Sequence, residues 1–450
     1  MFLNRLKENR VANNAAWLIA GKLVHMVLSF LVGLLTARYL GPDHFGLINY
    51  AAAYTSFFSA LCTLGINSII VKNFIEHPDE EGETIGTTLL LRALSSLFSA
   101  LMIVGVVSVL DRGETLTFTV VALYCIGLLF QIFDTLNYWF QARLQSKYYA
   151  VATLVAYVIV SAYKVTLLVL GMSVKWFAVA NAIEYALVGA VMLWQYHRCG
   201  GPQFSCSLRK AGQLLRASRS FIVAGLMVSI YASTDRLMLK QMLSEASVAY
   251  YALAVSFSSS WGFLLSAIID SMTPEIMRTR STDHETYLCM NRRLYAYVFY
   301  AAAFVSLCVS LAAPWLIVFL YGESYRPAVE PLRVVVWYTA FSYLGVARNT
   351  WMVCENVQKY LQILYPISAV MNVVLNLIMI PRWGATGAAL ASLLTQISTI
   401  VVVPYFIPQI RENTRMMIEA MLFRKVRIPI VNSDDINTER SSVNGQRIER

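Results

Sequence analysis

Seven charged side chains interrupt long apolar runs of this 450-residue chain, and they are the residues with chemistry to offer. Lys22, Lys164, Arg236 and Arg348 are cations placed where a fixed positive charge would attract a phosphate-bearing group. Asp134, Glu184 and Asp235 are carboxylates in the same surroundings, where they could hold a coupling cation or carry a proton. A buried carboxylate costs roughly several kcal/mol unless it is paired or protonated. Plainer readings stand beside these. Lys22 could snorkel to the membrane surface, Glu184 could form a static ion pair with Lys164, and Asp235 could do so with Arg236. Asp134 lies within a turn of a span end, and Arg92 and Arg333 read as interfacial anchors. Asn372 and Asn376, one turn apart, suit inter-helical hydrogen bonds.

The elements that must position these residues follow from composition. The chain is 58% hydrophobic and 14% charged, with a mean hydropathy of +0.57, too few charges to clothe soluble domains of this length. A soluble enzyme, a disordered chain and a nucleic-acid binder are excluded. Apolar stretches long enough to span a bilayer recur at 15–36, 45–66, 86–110, 116–137, 149–171, 175–196, 219–241, 247–270, 295–320, 331–353, 361–380 and 385–406. The expected fold is therefore an all-α integral membrane protein with about twelve transmembrane helices, in two six-helix lobes around a central cavity. Residues 1–212 would form the first lobe, 213–410 the second, and 411–450 a surface helix followed by a disordered polar tail. The two longest connections fall at 197–218 and 271–294. The net charge of +10 is mostly a topology signal: 24 of the 36 Lys and Arg mark one side, which places both termini in the cytoplasm. An aromatic set, Tyr138, Trp139, Tyr148, Tyr149, Trp176, Trp194 and Trp315, reads as an interfacial belt.

Enzyme chemistry is missing. There is no G-x-x-x-x-G-K-[ST] phosphate loop, the five histidines are dispersed, and the seven cysteines include no C-x-x-C. No metal or organic cofactor is implied, and uphill work would draw on a proton or sodium gradient.

A series of motifs resembles the bacterial polysaccharide flippases, the O-antigen type, Wzx-like branch of the multidrug/oligosaccharidyl-lipid/polysaccharide exporter superfamily. Ala37-Arg38-Tyr39-Leu40-Gly41-Pro42 with Phe45-Gly46 resembles the family's turn between helices one and two, and Tyr138-Trp139-Phe140-Gln141 its aromatic end of helix four. Asp235-Arg236-Leu237-Met238-Leu239 is similar to its helix-seven segment, Pro274-Glu275-Ile276-Met277-Arg278 to the exit of helix eight, and Tyr321-Gly322-Glu323-Ser324-Tyr325 to the loop before helix ten. Asn372-Val373-Val374-Leu375-Asn376, then Pro381 and Gly384-Ala385-Thr386-Gly387-Ala388-Ala389, resembles its signature between helices eleven and twelve. Lys240 stands where many relatives place Gly.

The resemblance implies passage of a lipid-linked oligosaccharide on an undecaprenyl-pyrophosphate carrier, from the cytoplasmic to the outer leaflet of a bacterial inner membrane. Two lobes would rock around the cavity, coupled to an ion gradient, in the service of O-antigen and lipopolysaccharide assembly beside other glycan-assembly proteins. The alternatives are a multidrug or small-cation exporter of the same superfamily, a membrane-embedded glycan polymerase, and a non-transporting scaffold. Short loops disfavour the polymerase.

Overall fold

The computed structural model describes the backbone of residues 10–424 and the side chains of 24–424. The Lys22 side chain and the tail expected to be disordered lie outside the described residues. Among those described, every regular element is a helix. Among the described residues nine helices are long and apolar enough to cross a membrane, two of them running through two expected stretches each, and with the helix Val329–Cys354 they cover the twelve: 10–40, 42–63, Glu81–Leu110, Thr115–Ala142, Lys147–Val169, Val174–Arg198, Leu208–Met242, Glu245–Thr282, His284–Tyr321, Val329–Cys354, 361–383 and 385–405. They are called the first to twelfth spans below. The protein is a multi-pass membrane protein.

Two of the turns are made without interrupting the helical run. Gly41 (φ 70°) divides Arg10–Thr63 and Gly384 (φ 58°) divides Leu361–Ile397, both with a positive φ that side chains bearing a Cβ resist. Pro42 follows the first break, where its missing N–H costs little. The connections expected at 197–218 and 271–294 are largely helix instead. The seventh span starts at Leu208, where Ser207 caps it by accepting from the Lys210 amide at 3.3 Å, and the ninth starts at His284. Polar helix ends reach past the apolar stretch, so hydropathy understates their length. A short helix over Asn67–Glu76 was not foreseen, and a helix over Pro408–Met421 buries Ile410, Asn413, Met416 and Met417.

The chain forms two compact units. The first comprises residues 1–262, 305–339 and 359–399 and holds a core from Ala37, Tyr50, Tyr54, Val121, Leu128, Leu239, Leu253, Tyr325 and their neighbours, with a second cluster around Ile66, Phe74, Trp139, Phe140 and Tyr196. The second comprises 263–304, 340–358 and 400–450. It is tied by polar contacts: Arg280 donates twice to Glu355 at 2.8 and 3.0 Å, Tyr287 donates to the same carboxylate at 3.0 Å, and Arg292 pairs with Glu419 at 2.9 Å. Arg348 belongs to this second unit and is 4% exposed, within electrostatic reach of Tyr295.

Two expectations about the first unit are corrected. Arg92 is not an interfacial anchor: it is 2% exposed and donates to Thr135 at 3.1 Å and to Asn67, clamping the third span to the fourth and to the short helix. Trp139 is not part of a belt. It is buried, donates to Glu81 at 2.9 Å and lies under the Arg143 guanidinium, 3.9 Å from the ring centroid. Trp176, Trp194 and Trp315 are exposed, as an outward belt requires.

Candidate functional site

Two polar regions occupy the first unit, and the first is an open wall on the fourth to seventh spans. Asp134 and Tyr124 come from the fourth span, Tyr149 and Lys164 from the fifth, Glu184 and Tyr185 from the sixth, and Arg236 from the seventh. All seven are half-buried among the helices. Glu184 acts electrostatically on Lys164, Tyr124, Tyr149 and Tyr185, Asp134 acts on Tyr149 and Tyr185, and Arg236 acts on Tyr124. Among the described residues, none of the side chains of Asp134, Glu184, Lys164, Tyr124, Tyr149 and Tyr185 has a hydrogen-bond partner in the protein. The static Glu184–Lys164 pair is therefore absent at the 4.0 Å limit for an ion pair. Polar groups at that depth must be satisfied by water or by a ligand.

Local sequence explains the placement. A 3₁₀ turn over Gln131–Asp134 interrupts the fourth span and re-aims Asp134. Gly127 lets the sixth span come close, since a Cβ there would lie 2.4 Å from Asn181 Nδ2 and 3.3 Å from the Tyr185 ring. Asn181 in turn donates to the Tyr124 carbonyl at 3.2 Å.

The second region is a closed knot around Asp235, which is 4% exposed. The carboxylate accepts from Asn372 Nδ2 at 3.0 Å, Asn376 Nδ2 at 2.5 Å, Ser392 Oγ at 2.6 Å and the Tyr251 hydroxyl. The seventh, eighth, eleventh and twelfth spans thus meet on one carboxylate. The Asp235–Arg236 pair expected from their adjacency does not form at ion-pair distance among the described residues, because successive helical positions point in different directions. Asn376 Oδ1 is buried with no partner.

One end of the first unit, carrying residues 41, 111–114 and 243–244, is sealed across the two halves of the sequence. Lys240 Nζ contacts Glu114 at 2.8 Å and Glu245 at 2.8 Å, and Gln241 donates to Asp111 at 2.8 Å and to Tyr50 at 2.6 Å. Tyr50 also donates to Asp111 at 2.9 Å, and Tyr325 donates to the Ala37 carbonyl at 2.8 Å. Gly46 is needed there, since a Cβ would lie 1.8 Å from the Glu245 carbonyl oxygen. The Lys240 hydrogen bond, followed by that from Thr117, holds the Glu114 carboxyl below its ordinary value.

Residues 11–280, more than half of the chain, match the family described as polysaccharide biosynthesis protein. The chain belongs to that family. Solved transporter structures share its fold over nearly the whole length. The lipid II flippase MurJ in an inward closed conformation matches with a TM-score of 0.69 at 12% identity, covering 91% of each chain. An inward-facing multidrug resistance MATE family transporter of the MOP superfamily matches with a TM-score of 0.62 at 16% identity, covering 88% of this chain and 96% of that one. A MOP superfamily transporter from Pyrococcus furiosus, described as having a binding pocket of reverse polarity, matches with a TM-score of 0.58 at 13% identity, covering 92% of this chain and 97% of that one. At these identities the likeness is one of fold: two-lobed, all-helical membrane transporters. A comparison with curated proteins finds no match.

Of the residues singled out from sequence, the wall brings together four, Lys164, Arg236, Asp134 and Glu184, and Asp235 lies in the knot instead. Sequence reasoning missed Tyr124 and Tyr185, which carry no charge and look like core, and assigned Tyr149 to the membrane belt. It treated Asn372 and Asn376 as helix glue. They are that, and their shared target is Asp235.

Proposed function

We propose that the protein carries a lipid-linked oligosaccharide across the membrane by alternating access between its two lobes. The observation that carries this reading is the open wall: six polar side chains deep in the spans with no protein partner among the described residues. An anionic pyrophosphate and a hydroxyl-rich glycan are the chemistry that Lys164 and Arg236, together with Asp134, Glu184 and the tyrosines, would satisfy. Lys22 on the first span and Arg348 of the second unit are proposed as further phosphate-attracting cations. With both termini in the cytoplasm, the sealed end is the outer one, and loading would occur from the inside. Inner-membrane residence and service to O-antigen or lipopolysaccharide assembly belong to the same proposal.

Coupling to a proton or sodium gradient is assigned to the knot. Asp235 is its carboxylate and the orphaned Asn376 Oδ1 a further oxygen for a cation. Asp134 and Glu184 are the alternative proton carriers. A second reading rests on those two acids: with three tyrosines beside them they would also suit an organic cation, as in a multidrug exporter. Reconstitution of the full chain in liposomes separates the two. A labelled polyprenyl-pyrophosphate oligosaccharide should become protected from an external reagent, more so under an imposed ion gradient. Uptake of a fluorescent organic cation with no glycolipid movement would favour the exporter.

A further inference from the structure

The geometry points to a sugar subsite on the open wall, formed by Asp134, Glu184, Tyr124, Tyr149 and Tyr185, that takes neutral or amino-bearing glycans and turns away acidic ones. This rests on the flippase reading above and names the substrate class. Ionised carboxylates accept hydrogen bonds and donate none, so they suit sugar hydroxyls or an ammonium group. The rings of Tyr124, Tyr149 and Tyr185 form no ring pair with another aromatic among the described residues, which leaves faces for the C–H side of a sugar. The sign of the wall follows from which charges remain once a pyrophosphate is held. Arg92, the cation that acts on Asp134, has its terminal nitrogens on Thr135 and Asn67. Lys164 and Arg236 are the cations left for the pyrophosphate. Once they meet it, Glu184 has no positive partner on the wall and Asp134 keeps only the buried Arg92 beside it, which leaves the two carboxylates in excess.

The wall also has length. Tyr149 and Lys164 are 15 positions apart on one helix, about 22 Å, so a carrier head held at Lys164 leaves room for a short glycan running down to Asp134 and Tyr149. A uronic acid there would set like charges together in a partly desolvated space. A neutral or amino sugar would not.

The test uses the full-length protein in nanodiscs and three probes on one polyprenyl-pyrophosphate carrier: no sugar, a neutral disaccharide, and the same disaccharide with a uronic acid. The neutral glycan should bind at least roughly tenfold more tightly than the acidic one. In Asp134→Asn/Glu184→Gln that ratio should shrink to within about threefold. Tyr185→Phe should weaken the neutral glycan alone, and melting curves show that each variant is folded. Equal or tighter binding of the acidic glycan by the wild type overturns the subsite, as does an unchanged ratio in the folded double variant. If the double variant does not fold, the wild-type ratio decides. Failure to bind any of the three probes would instead sink the flippase reading, whereas equal binding of all three sinks only the subsite.

Discussion

The knot and the wall use the same groups, carboxylates with amides or phenols around them, and treat them in opposite ways. At the knot, four donors from three spans converge on Asp235, a carboxylate that is 4% exposed. At the wall, Glu184 and Asp134 stand half-buried with no partner among the described residues. A saturated buried carboxylate holds helices together, and losing it strands the donors that pointed at it. An unsatisfied, half-buried one contributes little to folding and is free to meet a ligand. The difference separates a carboxylate whose contacts are all made within the protein from carboxylates whose contacts are left for a ligand.

The comparison can be broken by stability measurements. Asp235→Ala should cost about 3 kcal/mol or more, read as a lowered melting temperature in detergent, because several buried donors lose their acceptor. Equal damage from Glu184→Gln would erase the distinction. Lys240→Met should cost about 1 kcal/mol, since Glu114 is 45% exposed and solvent takes over part of the lost pairing. The same change should raise labelling of an introduced cysteine at the sealed end. Acid should loosen that seal too. The Glu114 carboxyl is held below its ordinary value in the folded chain, so its contribution is full above the unfolded value of about 4.3 and fades as pH falls through the depressed one. Glu114→Gln should flatten that part of the pH profile. Smallest of all, Glu184→Gln and Lys164→Ala should shift stability by no more than about 0.5 kcal/mol.

Much of the fold was legible because a bilayer demands long apolar helices, and twelve such stretches are plain in the sequence. Helix ends were not, since Leu208 to Ser218 is polar helix that hydropathy reads as loop. Charge in an apolar run identified Lys164, Glu184, Asp134, Arg236 and Asp235 as unusual, but not what each would touch. Arg92 looked like an anchor because it sits near a span end, and only the packing of the third span against Thr135 and Asn67 shows otherwise. Tyr124 and Tyr185 were illegible for a simpler reason: a half-buried tyrosine beside charged groups and one filling a core have the same local sequence.

The most direct test of the wall as the substrate's path is transport of a labelled polyprenyl-pyrophosphate oligosaccharide by liposomes containing Lys164→Ala or Glu184→Gln, each checked by its melting temperature. Transport should fall at least roughly tenfold while the melting temperature stays within about 2 °C of wild type. Wild-type transport by both variants at normal protein levels would contradict the account.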